Sequence, residues 1–407
     1  MTRFLTIVLS IWSAMHVYVF WRLSSVPWVS DHLSRTGLAA IALALWACYP
    51  VARVLEAWKL EAVARPVEFI GATWIGVIFL LVAALLATDV ATLGGWVLPQ
   101  LAPRIRGLAA LAAGLLAVVA LVQGLRAPAV RDYEVRLPGL PAECDALVLV
   151  QLSDLHLGTL IGRGWMDRLA RRVNKLRPDL IALVGDVVDG NIARAEGLQP
   201  VLATLQARLG VWAVTGNHEY YAGVQECVRL FEHAGFNVLR NRCAEVAPGL
   251  VLAGVDDLTA RSQFKLDGRP FEQALANRPP GGVILLSHTP WAAEVAAQSG
   301  AGLMLCGHTH AGQLWPFNYL VRRRYPMLAG RYEVCGMPLI VCRGTGTWGP
   351  RMRLWKPGEI VRITLRYSIA NSQSNVAARD RGLGHAHLAF AFPCQAARLG
   401  ATNDYLS

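Results

Sequence analysis

Five short motifs stand out for the metal-binding side chains they bring together: Ser153-Asp154-Leu155-His156, Gly185-Asp186-Val187-Val188-Asp189, Gly216-Asn217-His218-Glu219, Ser287-His288-Thr289-Pro290 and Gly307-His308-Thr309-His310. Asp154, His156, Asp186, Asn217, His288, His308 and His310 offer imidazole nitrogens and hard oxygens without a thiolate. That donor set suits Mn, Fe or Zn in a catalytic site rather than structural zinc. Seven groups are too many for one open ion and match two divalent ions sharing one bridging carboxylate. Asp154 and His156, like His308 and His310, stand two apart, so an extended backbone would point each pair to one side. The glycines before Asp186, Asn217 and His308 are expected to let the chain turn sharply with no Cβ in the way. One motif alone says little, because Asp186 could cap a helix, Asn217 could form a turn, and a lone histidine after a strand is usually structural. The weight lies in all five occurring in this order.

Each motif follows a short apolar, β-branched run. Strands are expected at 146–152, 180–184, 211–214, 250–255, 283–286, 303–306, 339–342 and 360–365, with helices such as 164–175 and 224–233 between them. Continuous apolar strands alternating with helices imply an α/β domain whose sheets are buried on both faces. Asp, Asn or His just past the carboxyl end of a strand lies on the rim where open α/β sheets bind ligands.

The rest of the chain has a different texture. It has 407 residues, 54% of them hydrophobic and only 16% charged, with 39 Lys+Arg against 28 Asp+Glu for a net charge of +11. A typical soluble domain carries roughly 25% charged residues, so a disordered chain is excluded and a purely soluble protein is not expected. At about 100–200 residues per domain the length allows two or three units. Stretches 4–21, 36–52, 69–88 and 107–125 hold no charged residue. A helix needs about 20 mostly apolar residues to cross a bilayer. Charges gather in the gaps, at Arg22 and Arg35, at Arg53, Lys59 and Arg65, and at Arg104 and Arg106. A cleaved signal peptide would need a small-x-small site after the first stretch and would leave three further stretches unexplained. The organisation read from this pattern is a four-helix transmembrane region at 1–127, a catalytic domain at 128–367 and a mobile C-terminal tail at 368–407, where periodicity stops.

An even number of spans puts both chain ends on one side. Arg3, Arg53, Lys59, Arg65, Arg126 and Arg131 then face Arg22, Arg35, Arg104 and Arg106 across the membrane, and this bias places the C-terminal domain in the cytoplasm. Eight cysteines without a CxxC pair read as small buried hydrophobes in a reducing compartment.

Asp-x-His, Gly-Asp-x-x-Asp, Gly-Asn-His-Glu, the lone His288 and Gly-His-Thr-His together resemble the signature of the calcineurin-like metallophosphoesterases. The run Gly307-His308-Thr309-His310-Ala311-Gly312-Gln313 looks like that of a membrane-associated bacterial subgroup. Over roughly residues 130–367 the resemblance implies a four-layer α/β/β/α sandwich with a dimetal site at the sheet edges. It implies that Asp154, His156 and His310 hold the first ion, Asn217, His288 and His308 the second, and that Asp186 bridges. The chemistry implied is phosphoester hydrolysis, in which two ions about 3.5–4 Å apart hold a hydroxide and clamp the phosphoryl oxygens. His218 is read as the general acid, a role typically worth about 10²–10⁴-fold. Glu219, where many members of the family have Asp, is expected to orient His218, and Asp189 is read as a loop or cap residue.

For the substrate, Arg322, Arg323 and Arg324 among Trp315, Phe317, Tyr319 and Tyr325 read either as a lip meeting phospholipid headgroups or a phosphorylated substrate, or as a solvated basic loop. Anchor, basic face and dimetal centre together suggest a lipid-linked phosphoester or pyrophosphate in a bacterial inner membrane, for example a UDP-diacylglucosamine-type lipid. Membrane lipids are the expected partners. Nucleic acid is not expected, because no strand-tracking groove with interleaved aromatics is visible. The competing reading is a catalytically silent receptor or scaffold, which a missing ligand would favour, yet all seven are present. A transporter would call for intramembrane charges, and the four stretches carry none.

Overall fold

The computed structural model describes residues 2–190, 197–266, 268–367 and 390–392. Apart from 390–392, the tail expected at 368–407 lies outside the described residues. The chain forms two compact units: Met1–Arg126 with Gln313–Asn318 and Thr347–Pro357, and Ala127–Gly312 with Tyr319–Gly346 and Gly358–Ser407.

The first unit is built on helices Thr2–Leu23, Arg35–Ala57, Glu61–Ala91 and Ala102–Leu125. All four are long and apolar enough to cross a membrane. Val19, Ile78, Leu85, Ala113 and Ala120 pack in their shared core. Small residues let the helices close up: a Cβ on Gly71 would meet the Tyr49 backbone at 2.8 Å. Some polar side chains inside the bundle pair with one another or with the backbone. Trp74 Nε1 donates to His16 Nε2 at 2.8 Å and Trp12 Nε1 to the Trp46 carbonyl at 3.2 Å. Trp21, Trp28, Trp58 and Trp96 are exposed, as an interfacial belt requires. The two later segments belong to this unit because Leu314, Met352 and Leu354 are buried in the same core.

The second unit holds two sheets. One has the order β1-β12-β2-β3-β4-β5 and the other β13-β10-β11-β9-β8-β7-β6, where β11 is Met337–Val341, β12 Glu359–Tyr367 and β13 Phe390–Phe392. Their central strands are β2 (Val148–Leu152), β3 (Leu180–Val184), β4 (Val211–Val214), β7 (Leu250–Gly254), β8 (Gly282–Leu286) and β9 (Leu303–Cys306). Within each sheet β2, β3 and β4, and β7, β8 and β9, run parallel. Alternation along these strands builds the layers. Leu180, Ala182 and Val184 meet Ile284, Leu286 and Leu305 between the sheets. Ile181 and Leu183 face helices Arg163–Asn174 and Val224–His233, while Val283 and Leu285 face helices Pro270–Leu275 and Ala293–Gln298. The result is a helix, sheet, sheet, helix sandwich.

Strands 180–184, 211–214 and 303–306 form as expected, whereas β2 starts at 148 instead of 146. Five strands have no counterpart in the sequence reading: β1 (Ala129–Leu137), β5 (Asn237–Val238), β6 (Arg242–Ala247), β10 (Gly330–Val334) and β13 (Phe390–Phe392), the last in the stretch read as a tail. The first three are sheet edges and β10 is next to one. Edge strands tolerate charges on the exposed face, as in Arg131, Asp132 and Glu134, so no continuous apolar run marks them.

Candidate metal centre

Strands β2, β3 and β4 of one sheet and β8 and β9 of the other deliver the five motifs. Asp154 follows β2, Asp186 follows β3 and Asn217 with His218 follows β4. His288 follows β8, and His308 with His310 follows β9. Six of the seven expected ligands are buried and His308 is nearly so.

Two clusters result. In the first, His310 Nε2 lies 3.0 Å from His156 Nε2 and 3.3 Å from Asp154 Oδ1. In the second, His288 Nε2 lies 3.0 Å from Asp186 Oδ2 and 3.2 Å from His308 Nδ1. Asp186 Oδ2 is also 3.9 Å from His156 Nε2, so this carboxylate touches both groups. The ligand atoms of each trio lie within 4.8 Å of one another. Asn217 opens the helix Asn217–Ala222, and its buried Oδ1 has no hydrogen-bond partner among the described residues. His156 Nδ1 is likewise buried without one. Buried polar atoms without partners are costly, and the facing ring nitrogens of His156 and His310, 3.0 Å apart, can share only one proton between them. The donor set, its crowding and the Asn217 orphan fit divalent cations.

The backbone is not extended at the paired residues, contrary to the sequence reading. Asp154, His156, Asp186, His308 and His310 all have positive φ, between 47° and 70°. Each non-glycine residue held this way costs about 1 kcal/mol or more, a strain that persists where the surroundings over-determine it. The expectation for the glycines also needs correction. Gly185 turns with φ +74°, but Gly216 sits at φ −100° and is needed for close approach, since a Cβ there would run into Asp186.

A family model described as calcineurin-like phosphoesterase matches residues 147–312. A Danio rerio "transmembrane protein with metallophosphoesterase domain" is 38% identical over 271 residues, covering 64% of this chain and 62% of that protein. An uncharacterized metallophosphoesterase of Aquifex aeolicus is 35% identical over 243 residues, 58% of this chain and 91% of that protein. The chain belongs to the calcineurin-like metallophosphoesterase family. It spans about 62% of the length of the Danio rerio and Bos taurus relatives it matches. With four apolar helices and relatives named as transmembrane proteins, it is a membrane-associated metallophosphoesterase.

The electrostatics of this metallophosphoesterase site are those of a cation trap. Burial would raise Asp186, but the charges of His288 and His218 hold it well below the usual carboxylate range. Asp154 is lowered too, with His310 outweighing burial. Burial and the neighbouring His218 push His156 down to about 3, and burial with His288 does the same to His308. Both therefore present neutral nitrogens. His288 is raised against its burial by the charge of Asp186 and its hydrogen bond to it.

Two roles differ from the sequence reading. Asp189 is no mere loop residue: its Oδ1 lies 2.9 Å from His218 Nδ1, and its Oδ2 lies 3.9 Å from His156 Nδ1. Glu219, expected to orient His218, is turned to the backbone. It accepts the backbone N–H groups of Asp186, Val188 and Gly216 at 3.0, 2.9 and 2.7 Å, bracing the turns after β3 and β4. The spacing Gly-Asp-x-x-Asp held the signal for Asp189, but only the fold shows what its side chain meets. Tyr325 was seen in sequence only as one aromatic of a basic cluster. Its hydroxyl lies 2.8 Å from His308 Nε2 and its ring stacks on Trp291 at 5.4 Å.

Proposed function

We propose that this protein is a membrane-anchored phosphoester hydrolase that works with two divalent ions, Mn, Fe or Zn. The observation that carries the reading is Asp186, one buried carboxylate within reach of both histidine clusters. Asp154, His156 and His310 would hold one ion, Asn217, His288 and His308 the other, and Asp186 both. When bound, such ions supply positive charge to the phosphoryl oxygens and lower the pKa of an attacking water.

The chain's own part in the chemistry is proton delivery. Burial alone would lower His218, but the charge of Asp186 and the hydrogen bond to Asp189 hold it up at about 9. It is therefore protonated at neutral pH, donating Nδ1–H to Asp189 and keeping a second proton on Nε2. That proton goes to the departing alkoxide, while Asp189 fixes the ring and stabilises the imidazolium.

The substrate is an anionic ester carried by or near a membrane, with a lipid-linked phosphoester or pyrophosphate such as a UDP-diacylglucosamine-type lipid as the specific form. Support comes from a ladder that starts at His308: Tyr325, Trp291 stacked on it, and the Arg324 guanidinium 4.3 Å from the Trp291 ring centre. The Lys/Arg bias of the loops favours the cytoplasmic side for this domain, in what we read as a bacterial inner membrane. The test is hydrolysis by the full chain in detergent of phosphomonoesters, nucleotide diesters and lipid pyrophosphates, with Mn added or with chelator. Cleavage of at least one class only with metal is expected, and cleavage that survives full chelation would sink the reading.

A further inference from the structure

Segments Gln313–Asn318 and Thr347–Pro357 are irregular backbone inside a unit otherwise made of membrane-crossing helices. They are tied to each other through Gln313. Its Oε1 accepts the Trp348 N–H at 3.0 Å, its Nε2 donates to the Trp348 and Pro350 carbonyls at 2.9 and 3.0 Å, and its carbonyl accepts Leu354 N–H at 3.0 Å. They are also seated on the helices. Arg353 N–H donates to the Ala120 carbonyl at 2.8 Å, Trp355 N–H donates to Gln123 Oε1 at 2.9 Å, and the Phe317 ring meets Phe79 edge-on at 5.7 Å. Gly124 is the close-approach point, since a Cβ there would strike the Arg351 carbonyl, and Met352 lies over Gly76 in the same way.

The inner side chains of these segments, Leu314, Met352 and Leu354, are buried. The outer ones are aromatic and open: Trp315, Phe317, Trp348 and Trp355 are 42%, 41%, 54% and 57% exposed. Four large exposed aromatics on two short segments are more than a water-facing loop explains. The second segment is bonded to a helix whose Leu111, Leu115, Val118, Val122 and Leu125 are also exposed. Ala120, where the backbone bond forms, lies about 8 Å before the end of that helix at 1.5 Å per residue. Irregular backbone at hydrocarbon depth must be covered by protein, whereas the headgroup layer can satisfy both loop backbone and indole N–H groups.

We propose that Gln313–Asn318 and Thr347–Pro357 form a lipid-contacting collar in the interfacial layer of the bilayer, with Trp315, Phe317, Trp348 and Trp355 as its anchors. The occupant of this surface is phospholipid, and the Gln313 side chain keeps the two segments in one platform.

Photocrosslinking in native membranes tests this with the full chain. The photoreactive residue p-benzoylphenylalanine is placed at position 348 or 355, at Leu111 on a membrane-crossing helix, or at Arg229, whose side chain is 61% exposed on the α/β unit. Lipid adducts are read by mass spectrometry. Adduct yields at 348 and 355 within about threefold of that at 111, and roughly tenfold above that at 229, are expected. Yields at 348 and 355 no higher than at 229, with strong labelling at 111, would overturn the collar and leave the membrane reading intact. Absence of lipid adducts at 111 as well would overturn both.

Discussion

Both units bury carboxylates, and they neutralise them differently. In the helical bundle Asp89 accepts the Tyr18 hydroxyl at 2.8 Å and pairs with Arg22 at 2.7 Å and Arg106 at 3.0 Å. Two cations and a donor surround one anion, and Arg106 finds a further partner in the Gly94 carbonyl. At the sheet rims Asp154 and Asp186 have no Lys or Arg partner among the described residues, and the ion-pair partners they do have are histidines. Five residues there also sit in left-handed backbone, whereas the bundle's charge network uses ordinary helix. A buried charge balanced by its own chain stabilises a fold; one left to histidines, on strained backbone, awaits an outside cation.

The comparison breaks most sharply at its two carboxylates. Asp186→Asn keeps the shape and removes the charge shared by both clusters. A loss of about 10³-fold in metal-dependent hydrolysis is expected, several kcal/mol of transition-state stabilisation. Steady-state turnover with saturating Mn checks it, and near wild-type turnover would remove Asp186 from the centre. Asp89→Leu should do the opposite. It strands Arg22 and Arg106 in the bundle at a cost of about 3 kcal/mol, read as a lower thermal midpoint in detergent, while turnover per folded molecule stays unchanged. A wild-type midpoint would show that the bundle network carries no net stability.

His218 sharpens the contrast within the site. His218→Asn should slow esters with alkoxide leaving groups by about 10²-fold and leave p-nitrophenyl esters nearly unaffected, because a good leaving group needs no proton. Equal loss on both would point to a binding role. Since the acid acts protonated, activity falls as pH rises through its pKa. Asp189→Asn removes a hydrogen bond and a charge that raise that pKa, so the alkaline limb should move to lower pH. A pH–rate profile with an alkyl ester reads the shift.

What could be read from sequence follows from distance along the chain. Each proposed ligand lies within a few residues of a strand end, so local pattern singled out Asp154, Asp186, Asn217, His288 and His308 together. Sheets covered on both faces were legible because the central strands are continuously apolar, whereas the four-layer order came from the family resemblance. Asp189 and His218 meet across 29 residues, and Glu219 reaches Asp186 N–H across 33. Side-chain contacts over such gaps have no periodic signature. The edge strands escaped because exposed Arg and Glu interrupt their apolar runs, and the left-handed backbone at the ligands escaped because it contradicts the preference of Asp and His for extended or helical φ. Nor could composition show that Leu314 and Met352, well past the last membrane helix, pack among the helices.

The smallest expected effect tests how far the site is self-supporting. A metal-binding histidine normally donates its second ring N–H to a fixed acceptor, which sets its tautomer and orientation. His288 does so, with Nδ1–H donating to the Val184 carbonyl at 2.8 Å. His308 has no such carbonyl: its Nε2 meets the Tyr325 hydroxyl at 2.8 Å, and Tyr325 is itself pinned by the Trp291 stack beneath Arg324. Tyr325→Phe keeps the stack and deletes that acceptor. The expected result is about tenfold weaker affinity for one of two Mn equivalents, at the low end of what loss of such outer partners costs, with the other unchanged. Calorimetric titration of the metal-free protein separates the two. Unchanged affinity at both would show that packing alone orients His308, and equal weakening of both would mean that Tyr325 supports the fold of the rim instead of one ligand.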